Sequence, residues 1–77
     1  MKANTITIKD LCPIITSELR ITFDEDPADG TIDVIIPVTA DPEKILGDTV
    51  LNMSVHLMVV KDYAIVVSTC TRKEMGG

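Results

Sequence analysis

Aromatic residues are nearly missing. Phe23 and Tyr63 are the only two, and tryptophan does not occur. A core built from this chain must therefore come from Ile, Val, Leu and Met. Bases are also scarce: seven Lys and Arg stand against twelve Asp and Glu, for a net charge of −5. That balance argues against direct nucleic-acid binding, which needs clustered cations facing the phosphates. Histidine occurs once, as His56, and cysteine twice, as Cys12 and Cys70. Two cysteines make no disulfide framework. Unbroken runs of Ile, Val, Leu, Ala and Met reach only four residues, at 57–60 and 64–67. A membrane-spanning helix needs roughly 20. The first residues show no apolar run behind a basic start, so no secretory signal is expected. The expectation is a cytoplasmic protein with free thiols and no membrane contact.

The motifs of common chemistry are missing too. There is no Gly-rich phosphate loop, no G-x-S-x-G and no H-E-x-x-H. His56 has no neighbouring acid and nucleophile in sequence to make it a catalytic base. Cys12, His56 and Cys70 match no zinc spacing. The acidic stretch 24–30, D-E-D-P-A-D-G, invites a calcium reading, but neither frame fits an EF-hand loop. Counted from Asp24, position 5 is Ala28; counted from Glu25, position 3 is Pro27. These readings point away from an enzyme, with no catalytic residues, metal or cofactor expected.

What is present is patterning. A chain of 77 residues makes one domain, 1–77, with a polar tail at 72–77. Residues 4–8 alternate Thr and Ile and read as a short strand. Residues 10–16 contain Pro13, which suits an edge or a connection. Residues 18–24 alternate cleanly, with Leu19, Ile21 and Phe23 on one side. The stretch 25–30 is turn chemistry, and 31–39 is the return strand, with Ile32, Val34, Ile36 and Val38 facing the core. Pro37 places that strand at an edge or a bulge. Residues 63–71 begin apolar on both faces, as a central strand does.

Between these strands, 41–62 reads as one long helix. Asp41 suits an N-cap, Pro42 the first helical position, and Glu43 the positive end of the dipole. Leu46, Val50, Met53, Leu57 and Val60 recur at helical spacing and span about 80° of the wheel. Leu51, Val55 and Met58, flanked by Val59, lie on the opposite side. A rival reading makes 55–60 and 63–69 a hairpin, with Lys61-Asp62 as its turn. Gly47 weakens the helix and the β-branched residues favour strands. Lys-Asp, however, is not a favoured hairpin loop.

The helical reading gives an α+β two-layer sandwich. Its mostly antiparallel sheet has about four strands, in the chain order β-β-β-α-β, with the helix on one face. A helix apolar on two sides needs covering on both. Leu51, Val55, Met58 and Val59 are then interface residues, toward a second copy or a different protein. The acidic residues Asp24, Glu25, Asp26, Asp29 and Asp33 form a second recognition surface, suited to a basic protein partner. The expected function is a small acidic protein-interaction module, a homodimeric inhibitor or adaptor of the kind phage or mobile elements encode. A structural subunit of a larger assembly is one alternative. The other rests on Gly76-Gly77: ubiquitin-like modifiers and sulfur carriers also end in Gly-Gly on a small sheet with one helix. The chain resembles them in those two residues and in coarse shape, and departs from them in placing most strands before the helix. The resemblance implies a carrier activated at its C-terminal carboxylate.

Overall fold

A computed structural model describes residues 6–27 and 31–71 of the chain. The expectations placed on Asp29, on residues 4 and 5, on the tail 72–77 and on Gly76-Gly77 lie outside those residues. The clearest alternation in the sequence becomes the first strand pair. β1 (Glu18–Thr22) and β2 (Val34–Ile36) run antiparallel, with Leu19 opposite Ile36 and Ile21 opposite Val34. Alternation sends these four side chains to one face. Leu19, Ile21 and Ile36 are buried there, and Val34 packs against them. β2 ends before Pro37, which has no N–H for a ladder. Val38, expected on the core side, lies beyond the strand and is exposed.

The long helix is not there. Its start signal works: the Asp41 side chain accepts from the Glu43 amide at 3.1 Å, and Pro42 opens the helix. The helix then lasts one turn, α2 (Pro42–Ile45), and the backbone becomes extended at Leu46 and Gly47. A second turn follows, α3 (Asp48–Leu51). From there the chain is β3 (Leu57–Lys61), a tight turn, and β4 (Ala64–Ser68), paired antiparallel. The rival hairpin is therefore the arrangement found, with its turn one residue later, at Asp62-Tyr63. Both turn residues have positive φ, 54° and 64°. That is the backbone a two-residue hairpin loop needs to match the twist of its strands.

The apolar spacing misled because it mixed two segments. Leu46 is buried and Val50 and Met53 pack on the core, as the inner stripe required. Leu57 and Val60, from the same stripe, are exposed. Leu51, assigned to the outer stripe, is buried in the core, and Val55 packs against it. The sheet is also mixed. β4 lies between β1 and β3, in the order β2-β1-β4-β3, and runs parallel to β1. Its central position agrees with its apolar character on both faces, and Ala64, Val66, Val67 and Ser68 are all buried.

The helical turns cover one face of the sheet. α1 (Ile8–Leu11) takes the place expected for the end of a first strand. Thr7 caps it, accepting from the Asp10 amide at 3.3 Å, while Asp10 accepts from the Thr7 amide at 3.0 Å. Those bonds hold the Asp10 carboxyl below the ordinary carboxylate value. Pro13 falls in a 3₁₀ turn, Cys12–Ile14. Ile8 and Leu11 join Leu46 and Leu51 over Leu19, Ile21, Ile36 and Val67 to make the core. On the opposite face, the segment after β1 folds back. The Ser68 hydroxyl donates to the carbonyls of Asp24 and Glu25, and the Thr22 hydroxyl to that of Thr31.

Candidate protein-interaction surface

The sheet has two edges, and they differ in kind. β2 is three residues long and stopped by Pro37. Short edge strands ended by proline are how folded proteins keep sheets from pairing with strangers. β3 is five residues, Leu-Met-Val-Val-Lys, with no proline and one charge at its end. Among the described residues, no strand pairs with the outer side of Leu57–Lys61; immediately before it, on that same side, the Val55 amide donates to the Ile6 carbonyl at 2.7 Å and the Ile8 amide to the Met53 carbonyl at 3.0 Å.

The turn fixes which backbone groups that edge presents. In a two-residue hairpin, the residues flanking the loop exchange both hydrogen bonds, here Lys61 and Ala64. Leu57, Val59 and Lys61 therefore direct their N–H and C=O toward β4. Met58 and Val60 direct theirs outward.

Side chains on the edge are apolar on both faces. Met58 and Val60 lie opposite Val67 and Ile65, on the face that carries the core. They stand outside the helical cover, 51% and 77% exposed. Leu57, on the other face, is 50% exposed, and Tyr63 at the turn is 96% exposed. Val59 is half-buried. Beside it the Arg20 side chain bonds Glu18 and reaches Asp62 at 3.8 Å, tying the turn to β1.

Of the interface residues expected from a helix, Met58 and Val59 are thus on the exposed strand, and Leu51 and Val55 belong to or against the core. The structure brings Leu57, Val60 and Tyr63 to the surface in their place. The helical reading missed these three. The signal was the β-branched density of 55–60 and 63–69.

The acidic segment is partly structural. The Asp24 carboxylate accepts from the Thr31 amide at 2.8 Å, and the Asp33 carboxylate from the Phe23 amide at 2.8 Å. These two carboxylates close the loop between β1 and β2. Glu25 and Asp26 are exposed on it.

The chain matches no protein-family model, no curated protein and no solved structure.

The remaining chemistry-bearing residues are scattered. His56 is exposed just before β3, and its amide donates to the Ser68 carbonyl at 2.7 Å. Cys12 is buried, with its thiol 3.4 Å from the Ile8 carbonyl. Burial pushes that thiol's pKa up, and the charges of Glu43 and Asp41 add to the effect. Cys70 is exposed with φ of 56°, in an open cleft with Thr49, Asn52, Met53, Ser54, Thr69 and Thr71. None of those lining residues is an acid or a histidine that could activate it. Among the described residues, no three His, Cys, Asp or Glu side chains converge on a point where a metal could sit.

Proposed function

We propose that the chain is a non-enzymatic protein-interaction module that binds by strand addition at β3, acting as an inhibitor or adaptor. The carrying observation is the open edge: five residues, apolar on both faces, with the outward N–H and C=O of Met58 and Val60 lacking a strand among the described residues. An extended segment laid along such an edge gains main-chain hydrogen bonds for affinity and side-chain contacts on alternate faces for specificity. The acidic loop is the second surface in this reading. Glu25 and Asp26 would attract a basic partner, and salt would weaken that attraction.

Immobilised chain incubated with a lysate of its source tests the reading. Val60→Pro removes one outward N–H and none of the bonds to β4. Proline is tolerated in strands at such edge positions. The expected outcome is a specific protein retained by the parent and lost with Val60→Pro, the circular dichroism spectrum being unchanged. Glu25→Gln should make the remaining capture less sensitive to salt. Asp24 and Asp33 are left alone because they hold the loop. Retention indifferent to Val60→Pro ends the strand-addition reading.

A further inference from the structure

We propose that the tip of the β3–β4 hairpin is a contact site in its own right, with Tyr63 as a single aromatic anchor that enters an apolar pocket on a partner protein. This contact is separate from the β3 edge and does not depend on it.

The backbone is the first support. A two-residue hairpin loop with both φ positive is the place for Asn-Gly or Asp-Gly. Asp62, with φ of 54°, fits the first position, because a short polar side chain tolerates left-handed backbone. Tyr63, with φ of 64°, stands where glycine belongs. A bulky residue in that conformation is an outlier, and glycine would relieve it. Strain of this kind gathers at ligand clamps and active sites, where the surrounding structure enforces it. Here the enforcing structure is the hairpin: Lys61 pairs with Ala64, and four more pairs follow to Leu57 and Ser68.

Exposure is the second support. Tyr63 is 96% exposed, the most of any large apolar side chain described. The chain has only two aromatics. Phe23 packs against the core, and the other is held out at the end of a hairpin. The turn also lies at one end of the sheet. Thr22 and Ser68, which lead toward 28–30 and 72–77, are at the other end, about 13 Å along the strands. Ile6, bonded beside Val55, is at that far end as well.

Placement is the third. An anchor binds best when it is already in position. Arg20 ties the turn to β1, with its guanidinium 3.8 Å from the Asp62 carboxylate and a second bond to Glu18. Tyrosine combines a large apolar ring with a polar tip and few rotatable bonds, and it is enriched among interface hot spots. The matching pocket has apolar walls, a polar group at its floor for the phenol, and no acid at its rim, because Asp62 arrives with the ring. A lipid surface fits less well, since Asp62 and a net charge of −5 would meet the headgroups.

Photocrosslinking and titration test the proposal together. Benzoylphenylalanine in place of Tyr63 in the full chain, irradiated in a lysate of its source, should join to one protein. The same group in place of Ile14, exposed on another element, should not. That protein is identified by mass spectrometry, purified and titrated with the chain. Tyr63→Phe should keep the affinity within about tenfold. Tyr63→Gly should weaken it at least about 30-fold, as loss of a hot-spot residue does, while the denaturation midpoint does not fall.

No protein joined at position 63 overturns the proposal, as does a joined protein that binds Tyr63→Gly as tightly as the parent. A midpoint lowered by Tyr63→Gly overturns it too, because the ring is then packed within its own chain. Sedimentation of the parent with phosphatidylcholine vesicles, abolished by Tyr63→Gly, assigns the tip to a bilayer instead. Affinity lost with Tyr63→Gly but not with Val60→Pro keeps the tip and ends strand addition. Affinity lost with Val60→Pro but not with Tyr63→Gly does the reverse.

Discussion

Two thiols in one short chain have opposite surroundings. Cys12 ends α1 and is buried in the core, its thiol directed at the Ile8 carbonyl, with Asp41 and Glu43 near enough to oppose a thiolate. Cys70 lies in the open. The thiolate is the reactive form, so a site that raises the pKa also slows the chemistry. Native protein treated with a maleimide should therefore gain one label per chain, and Cys70→Ser none. Unfolding in guanidinium should bring the parent to two. Mass spectrometry of the intact chain reads this directly; rapid native labelling in Cys70→Ser would mean that Cys12 is not covered as described. The sequence named both thiols as free but could not tell them apart. Their difference comes from tertiary packing: Cys12 joins the core cluster, and Cys70 does not.

The turn of the β3–β4 hairpin decides what the edge can do. Asp62 and Tyr63 both hold left-handed backbone, which ordinary residues adopt at some energetic cost. Tyr63 is almost fully exposed, so its side chain repays little of that cost within one chain. Tyr63→Gly should stabilise the fold by about 0.5–1 kcal/mol. The denaturation midpoint is the measurement. No gain, or a loss, would show that Tyr63 has packing the structure does not give it. The helical elements have the opposite dependence. α1, α2 and α3 are four residues each, far below the length at which a helix persists alone. α1 and α3 bury Ile8, Leu11 and Leu51 against the sheet; α2 buries none of its own residues and is held by the Asp41 cap before it and by buried Leu46 after it.

At the scale of the whole molecule, the core consists mainly of aliphatic side chains on one face of a four-stranded sheet. A fold of this size buries a modest fraction of its chain and is often marginal alone. Association that exists only in the folded state adds to stability by mass action. The thermal midpoint of the parent should then rise with protein concentration, whereas that of Val60→Lys should be independent of it. A parent midpoint that does not move across a hundredfold dilution argues against a homodimer.

The β1–β2 hairpin was legible because its signals are local, strict alternation and turn residues; its extent was not, since alternation runs over 31–39 but the return strand is Val34–Ile36 and stops before Pro37, which by sequence signals only an edge or a bulge. The Asp41-Pro42 helix start was legible for the same reason, since a cap is made by residues two or three apart. The length of that helix was not. Leu57 to Val60 are apolar without a period, and such a run fits a helix face or a strand equally well until something packs against it. The sequence by itself determined that β4 is central and that the chain carries more apolar surface between 46 and 60 than its own core could hide. Only the tertiary structure decided that this surface is a strand edge, because a strand is fixed by the neighbour it bonds. For β3 that neighbour is β4, which in turn needs β1, more than forty residues earlier in the chain.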